Sequence, residues 1–214
     1  MSATAQPVVV AFDVDGTLTT RDSVLPFLRR LARPATLVRA LRELPTALLA
    51  AVRRDRDRLR ECATRAVFTG AEHATVVTAG ERFAAEIVAG RLRPDTTARL
   101  RWHVDQGHRV VLVSASYDAY LHGLAAALGA EAVLSTGLVV ADGRCTGALD
   151  GDNCRGAEKV ARLHAWLAAQ GLARADVVLW AYGDSAGDRE LLADADHPVW
   201  VTEPLDSVAP APAP

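Results

Sequence analysis

Short apolar runs alternate with stretches of helical spacing along this chain. Residues 7–12 form a Val-rich apolar run that stops abruptly at Asp13, the pattern of a buried parallel strand. From residue 23 the period lengthens. Leu25, Leu28 and Leu31 predict one helix; Leu37, Leu41, Leu44, Leu48 and Val52, at steps of four, three, four and four, predict a second. Pro34 suits the opening of that second helix, and Pro45 predicts a kink or a break inside it. Helical spacing continues over residues 57–68 and 72–88, the latter carrying Val76, Phe83 and Ile87, so residues 20–90 read as an all-helical block.

Beyond residue 90 the pattern alternates. Helices are expected at 95–106, 118–128, 153–170 and 189–195, and buried strands at 109–113 and 177–180, with a last strand at 198–201. Asp142-Gly143 between residues 132–140 and 144–149 is a hairpin signal. Strand–helix alternation predicts an α/β fold: a doubly wound, Rossmann-like parallel sheet built from residues 1–19 and 91–206, interrupted by the helical block 20–90. The Ala/Pro tail at 207–214 is expected to be disordered.

Composition narrows the class. The chain has 214 residues, half of them hydrophobic, enough for one full core plus an insertion. No apolar run reaches the ~20 residues of a membrane span, and residues 8–10 are too short for a secretory core. Cys62, Cys145 and Cys154 lack metal spacing, which predicts reduced thiols in a cytoplasmic protein. The net charge of −2 argues against a nucleic-acid partner. It hides an asymmetry: residues 21–65 hold twelve Arg against five acids, a surplus of +7, and the rest of the chain is acidic. Of the 24 basic residues, Lys159 is the only lysine.

The chemistry-bearing residues follow predicted strands or open a helix. Asp13-Val14-Asp15-Gly16-Thr17-Leu18 follows the first strand, Ser114-Ala115-Ser116 the second and Gly183-Asp184-Ser185-Ala186-Gly187-Asp188 the third, while Lys159 lies early in a helix. In a parallel sheet these segments converge on one crevice. Asp13 and Asp184 offer hard oxygens suited to Mg²⁺ beside a phosphate. Thr17 and Ser114 offer hydroxyls, and Lys159 offers a compact charge that bridges phosphate and carboxylate.

These motifs resemble the haloacid dehalogenase-like (HAD) hydrolases, in particular the phosphoserine-phosphatase-like branch with a helical cap. Residues 13–18 match D-x-D-G-T-[LV], residues 110–114 match an apolar strand ending in Ser, and residues 183–188 match G-D-S-x-x-D. Asn153-Cys154-x-Gly156-x-Glu158-Lys159 is similar to the third motif of the branch's bacterial members. The resemblance implies a phosphatase in which Asp13 is the nucleophile and Asp15 the general acid and base. Mg²⁺ would be held by Asp13, the Asp15 carbonyl and Asp184, with Asp188 behind them. Thr17, Ser114 and Lys159 would hold the phosphoryl oxygens. In strict phosphoserine phosphatases the motif-three lysine lies one turn earlier, where this chain has Arg155.

The resemblance makes the helical block a cap that selects a small phosphorylated substrate. Asp22 either reads a substrate amine or caps the next helix, and Arg60 or Arg65 would read an anionic group. The stripe from Leu37 to Val52 either packs within the cap or leans on an anionic membrane, and some bacterial relatives resemble phosphatidylglycerophosphate phosphatases. A phospho-acceptor signalling module is the rival class; such modules are shorter and lack a helical cap.

Overall fold

The computed structural model describes residues 6–205 and 208–209. The tail expectation at 207–214 therefore lies almost wholly outside the described residues. A six-stranded sheet runs in the order β4-β3-β2-β1-β5-β6, with β1 at Val8–Phe12, β2 at Arg109–Tyr117, β3 at Ala132–Ala141, β4 at Arg144–Asp150, β5 at Val178–Gly183 and β6 at His197–Trp200. All neighbours pair in parallel except β3 with β4. Those two form a hairpin across Asp142 and Gly143, both at positive φ, the primed-turn geometry that the Asp-Gly pair favours.

Alternation along β1 explains the two layers. Val10 and Phe12 face a core shared with α4 (His73–Gly90), α5 (Pro94–Asp105) and α6 (Asp118–Leu128). Val9 and Ala11 face the opposite core, filled by Leu163 and Leu167 of α7 (Ala157–Ala169) and by Leu191 and Leu192 of α8 (Arg189–Asp194). Helices on both faces of a parallel sheet make the doubly wound α/β fold.

Between β1 and α5 the chain runs through α1 (Val24–Leu31), α2 (Pro34–Arg53), α3 (Arg56–Phe68) and α4. It leaves and returns at one neck, where Thr19 bridges Leu92 and the Arg93 N–H donates to the Leu18 carbonyl at 2.8 Å. The helices are anchored to the body by aromatic packing. Phe27 of α1 stacks on Phe83 of α4 at 5.5 Å between centroids and meets Tyr120 of α6 edge-on at 4.8 Å, while Phe68 of α3 meets Tyr117 at 5.0 Å. The arrangement is one buried cluster spanning insertion and body.

Two expectations need correction. Pro45 neither splits nor ends α2, which runs unbroken over twenty residues. Pro45 is exposed, as is Leu41, whose carbonyl loses the helical bond, so that carbonyl lies on the open side of the helix. The helix expected at 153–170 starts instead at Ala157, because Gly156 precedes it at φ 61° and ψ −130°, outside the helical region. Asn153, Cys154 and Arg155 thereby form a loop.

Behind β1 and β5, His103 is fully buried and its ring nitrogens reach His108 and the Tyr182 hydroxyl, each at 2.8 Å. Burial, then the neighbouring His108 and Arg99, push its pKa down to about 3. An unfolded histidine titrates near ~6.5, so protons favour the unfolded chain between those values. Stability should be full above about pH 6.5 and fall as the pH drops toward 3. Urea midpoints at pH 7 and pH 5 should differ clearly in the wild type and much less in His103→Gln; an equal loss in both would remove His103 as the cause.

Candidate active site

The C-terminal ends of β1, β2 and β5 open into one cleft of about 330 Å³. Asp13 is the first residue past β1, and its N–H donates to the Tyr182 carbonyl at 2.9 Å, so the sheet holds its backbone rigidly. The chain then turns tightly: the N–H groups of Leu18 and Thr19 both donate to the Val14 carbonyl at 2.9 Å. Gly16 is needed inside that turn. It sits at φ 88°, and a Cβ there would lie 2.1 Å from Asp184 Oδ2. Asp184 and Asp188 enter from the loop after β5, and Lys159 from the first turn of α7.

Lys159 is the centre of the site. Its Nζ donates to Asp13 Oδ1 at 2.6 Å and to Asp188 Oδ1 at 2.5 Å, and all three residues are buried. Burial disfavours the lysine charge, but Asp13 and Asp188 outweigh that and hold Lys159 above the ordinary lysine range. Burial also pushes Asp13 up to about 7, against the pull of the ammonium group. Asp188 is fully engaged, because its Oδ2 accepts from the Ser185 N–H at 3.0 Å and the Ser185 hydroxyl at 2.8 Å. Oxygens of Asp13, Asp184 and Asp188 lie within 4.8 Å of one another, an all-carboxylate set able to hold a cation.

Asp15 faces the same cleft in different surroundings. Its carboxylate accepts from the Ser116 hydroxyl at 2.5 Å and the Ser23 N–H at 2.8 Å, and the Ser23 hydroxyl meets Tyr120 at 2.7 Å. Burial raises the Asp15 pKa in spite of those bonds. Two carboxylates two residues apart therefore hold distinct partners: Asp13 an ammonium group, Asp15 only neutral hydroxyl and amide donors.

Of the residues singled out in the sequence, Asp13, Asp15, Ser114, Lys159, Asp184 and Asp188 line the cleft. Asp22, Arg60 and Arg155 line its mouth. Thr17 and Arg65 do not. Thr17 is fully buried, and its hydroxyl donates to Asp184 Oδ1 at 3.4 Å, supporting a carboxylate from behind rather than facing the cleft. Arg65 points away and pairs with Glu43 at 2.9 Å and Glu61 at 3.5 Å. Asp22 accepts from the Leu25 N–H at 3.1 Å, which makes it a helix cap at the cleft's edge.

Three further residues contribute that had no role assigned from the sequence, although Asn153 and Ser116 lie in segments singled out there. Arg56 lines the mouth beside Arg60. Asn153 ties the body to the insertion, donating to Asp57 at 2.7 Å and accepting from Thr136 at 3.0 Å. Ser116 holds Asp15, and its spacing of two from Ser114 on one strand was an available signal.

A family model for haloacid dehalogenase-like hydrolases matches residues 10–193. The chain belongs to the haloacid dehalogenase-like hydrolase family. It is 39% identical over 194 residues to protein CicA of Caulobacter vibrioides, covering 90% of this chain and 85% of that protein. Its fold is similar to that of a Bordetella pertussis Tohama I protein of unknown function, with a TM-score of 0.74, 26% identity, and 88% and 87% of the two chains covered. The fold is also shared with a phospho-aspartyl intermediate analogue of phosphoserine phosphatase, at a TM-score of 0.57 and 19% identity, with 89% of this chain and 84% of that one covered.

Removing the ammonium group while leaving Asp13 and Asp188 in place strands two buried carboxylates. In metal-free buffer Lys159→Met should therefore cost about 3 kcal/mol of stability by urea denaturation, and adding Asp188→Asn should recover part of it. An unchanged midpoint in Lys159→Met would show that the pairing contributes nothing.

Proposed function

We propose that this HAD hydrolase is a Mg²⁺-dependent phosphatase that hydrolyses a small phosphomonoester through an aspartyl-phosphate on Asp13. The observation that carries this reading is a buried Asp13 fixed by Lys159 at 2.6 Å, with Asp15 and Asp184 in the same cleft. The hard, oxygen-only donor set fits Mg²⁺: the Asp13 and Asp184 carboxylates and the Asp15 carbonyl would hold it, while Asp188, occupied by Lys159 and Ser185, orients them. When bound, Mg²⁺ offsets negative charge on the phosphoryl oxygens and on Asp13.

This chain's own residues supply the remaining chemistry. The Asp13 carboxylate attacks phosphorus, the bond to the leaving oxygen breaks, and Asp15 gives that oxygen its proton. The raised pKa of Asp15 suits it to carrying that proton. Asp15 then takes a proton from water, whose oxygen attacks phosphorus, releasing phosphate and restoring Asp13. Ser114 and Lys159, both on the cleft wall, hold the phosphoryl oxygens as charge builds.

The cleft mouth selects the substrate. The Arg60 guanidinium lies 5.2 Å over the Tyr117 ring, and its buried NH1 nitrogen has no partner among the described residues. An anionic group on the substrate, separate from the phosphate, would satisfy it. Similarity to a phospho-aspartyl analogue of phosphoserine phosphatase supports the covalent route at the level of fold.

Asp13→Asn should keep the fold and lose p-nitrophenyl phosphate hydrolysis in the presence of Mg²⁺ by on the order of a thousandfold or more. Turnover within tenfold of the wild type would overturn the assignment.

A further inference from the structure

Helix α2 is built inside out. A surface helix of a globular protein normally turns its apolar stripe to the core. Here Thr36, Arg39, Glu43, Thr46, Ala47 and Ala50, on one face, are the half-buried or buried positions, and Glu43 bonds Arg65 of α3. The opposite face carries Leu37, Leu41, Leu44, Leu48 and Val52, and it points outward. Leu37 is 67% exposed, Leu41 61%, Leu48 59% and Val52 83%, a stripe about 22 Å long at 1.5 Å per residue. Contiguous exposed apolar surface of this kind marks an interaction site.

Charge around the stripe identifies the partner. Arg33, Arg42, Arg53, Arg54 and Arg56 are exposed at its ends and flank and form no ion pair among the described residues. Acids nearby are fewer: Glu43 is paired with Arg65, while Asp55 caps α3 through the Arg58 N–H at 2.9 Å and Asp57 accepts from Asn153. A second copy packed on this face would set five unpaired arginines against five, with only Asp55 and Asp57 on each copy to offset them. Phosphate-bearing headgroups over an acyl interior meet both features at once, since leucines enter the acyl boundary and arginines reach the headgroups. The cavity beside α2 is lined by Pro45, Thr46, Leu49, Ala50 and Arg53 and by residues between 55 and 61, so none of the five stripe residues lies in it.

We infer that the Leu37–Val52 face of α2 docks this protein onto the surface of an anionic lipid bilayer. It requires nothing of the phosphatase reading. The docked face adjoins the cleft, because only two residues separate the end of α2 from the start of α3, which places Arg56 and Arg60 at the mouth.

Vesicle flotation of the full chain tests this. Vesicles of phosphatidylcholine with about one third phosphatidylglycerol should carry the protein at least about tenfold more tightly than phosphatidylcholine alone, and added salt should weaken the binding. Leu41→Ser/Leu48→Ser, which leaves the charge unchanged, should weaken it at least about tenfold, and Arg42→Gln/Arg53→Gln should lower the preference for anionic vesicles. Circular dichroism spectra matching the wild type establish that both variants fold. Absence of binding to anionic vesicles, equal binding by the leucine variant, or a dimer in solution that the leucine variant splits would each overturn the proposal.

Discussion

One buried ammonium group organises this molecule. Lys159 is buried, so its charge persists because Asp13 and Asp188 meet it from two other elements. The first turn of α7, the end of β1 and the residue before α8 are thereby fixed to one another. Removing Lys159 would strand two buried carboxylates, whereas removing one aspartate leaves a single balanced pair. Arginine, with its planar fork, does not fill the same point between two carboxylates. The chain writes every other cation as arginine and places its single lysine where geometry demands a compact charge.

The insertion is held by a different force. Phe27, Phe68 and Phe83 reach from the helical block to Tyr117 and Tyr120 of the body, and the two tyrosine hydroxyls end in hydrogen bonds with Thr64 and Ser23. Ser23 also donates its N–H to Asp15. The packing that anchors the insertion is thus connected through two hydrogen bonds to a carboxylate of the cleft. Arg60 lies over Tyr117 on the same wall. Arg60 at the cleft and the Asp15 carboxylate thus share one aromatic support.

Much of this was legible in the sequence, and the rest was hidden for definable reasons. Apolar runs ending in acids located β1 and β5, since a strand buried on both faces has no polar positions to blur it. The far end of β2 was not legible: Ser114, Ala115 and Ser116 read as a loop, yet the strand runs to Tyr117 through a register shift against β3. Asn153 and Arg155 read as helix because nothing in their composition signals the backbone angles of Gly156. Arg60 and Arg65 could not be separated by spacing alone, because only the packing of α3 decides which one meets the cleft. Periodicity likewise established that α2 has an apolar face but not that the face points outward; that depends on what α3 offers it.

The central claim is that Asp13, held by Lys159, forms a covalent bond to phosphorus. Its most direct test is chemical trapping: mix enzyme with a phosphomonoester and Mg²⁺, quench in acid, reduce with borohydride, and map the modified peptide by mass spectrometry. Reduction at residue 13 alone is the predicted result. Phosphate release without modification of any residue, or modification at Asp15 in place of Asp13, would contradict it.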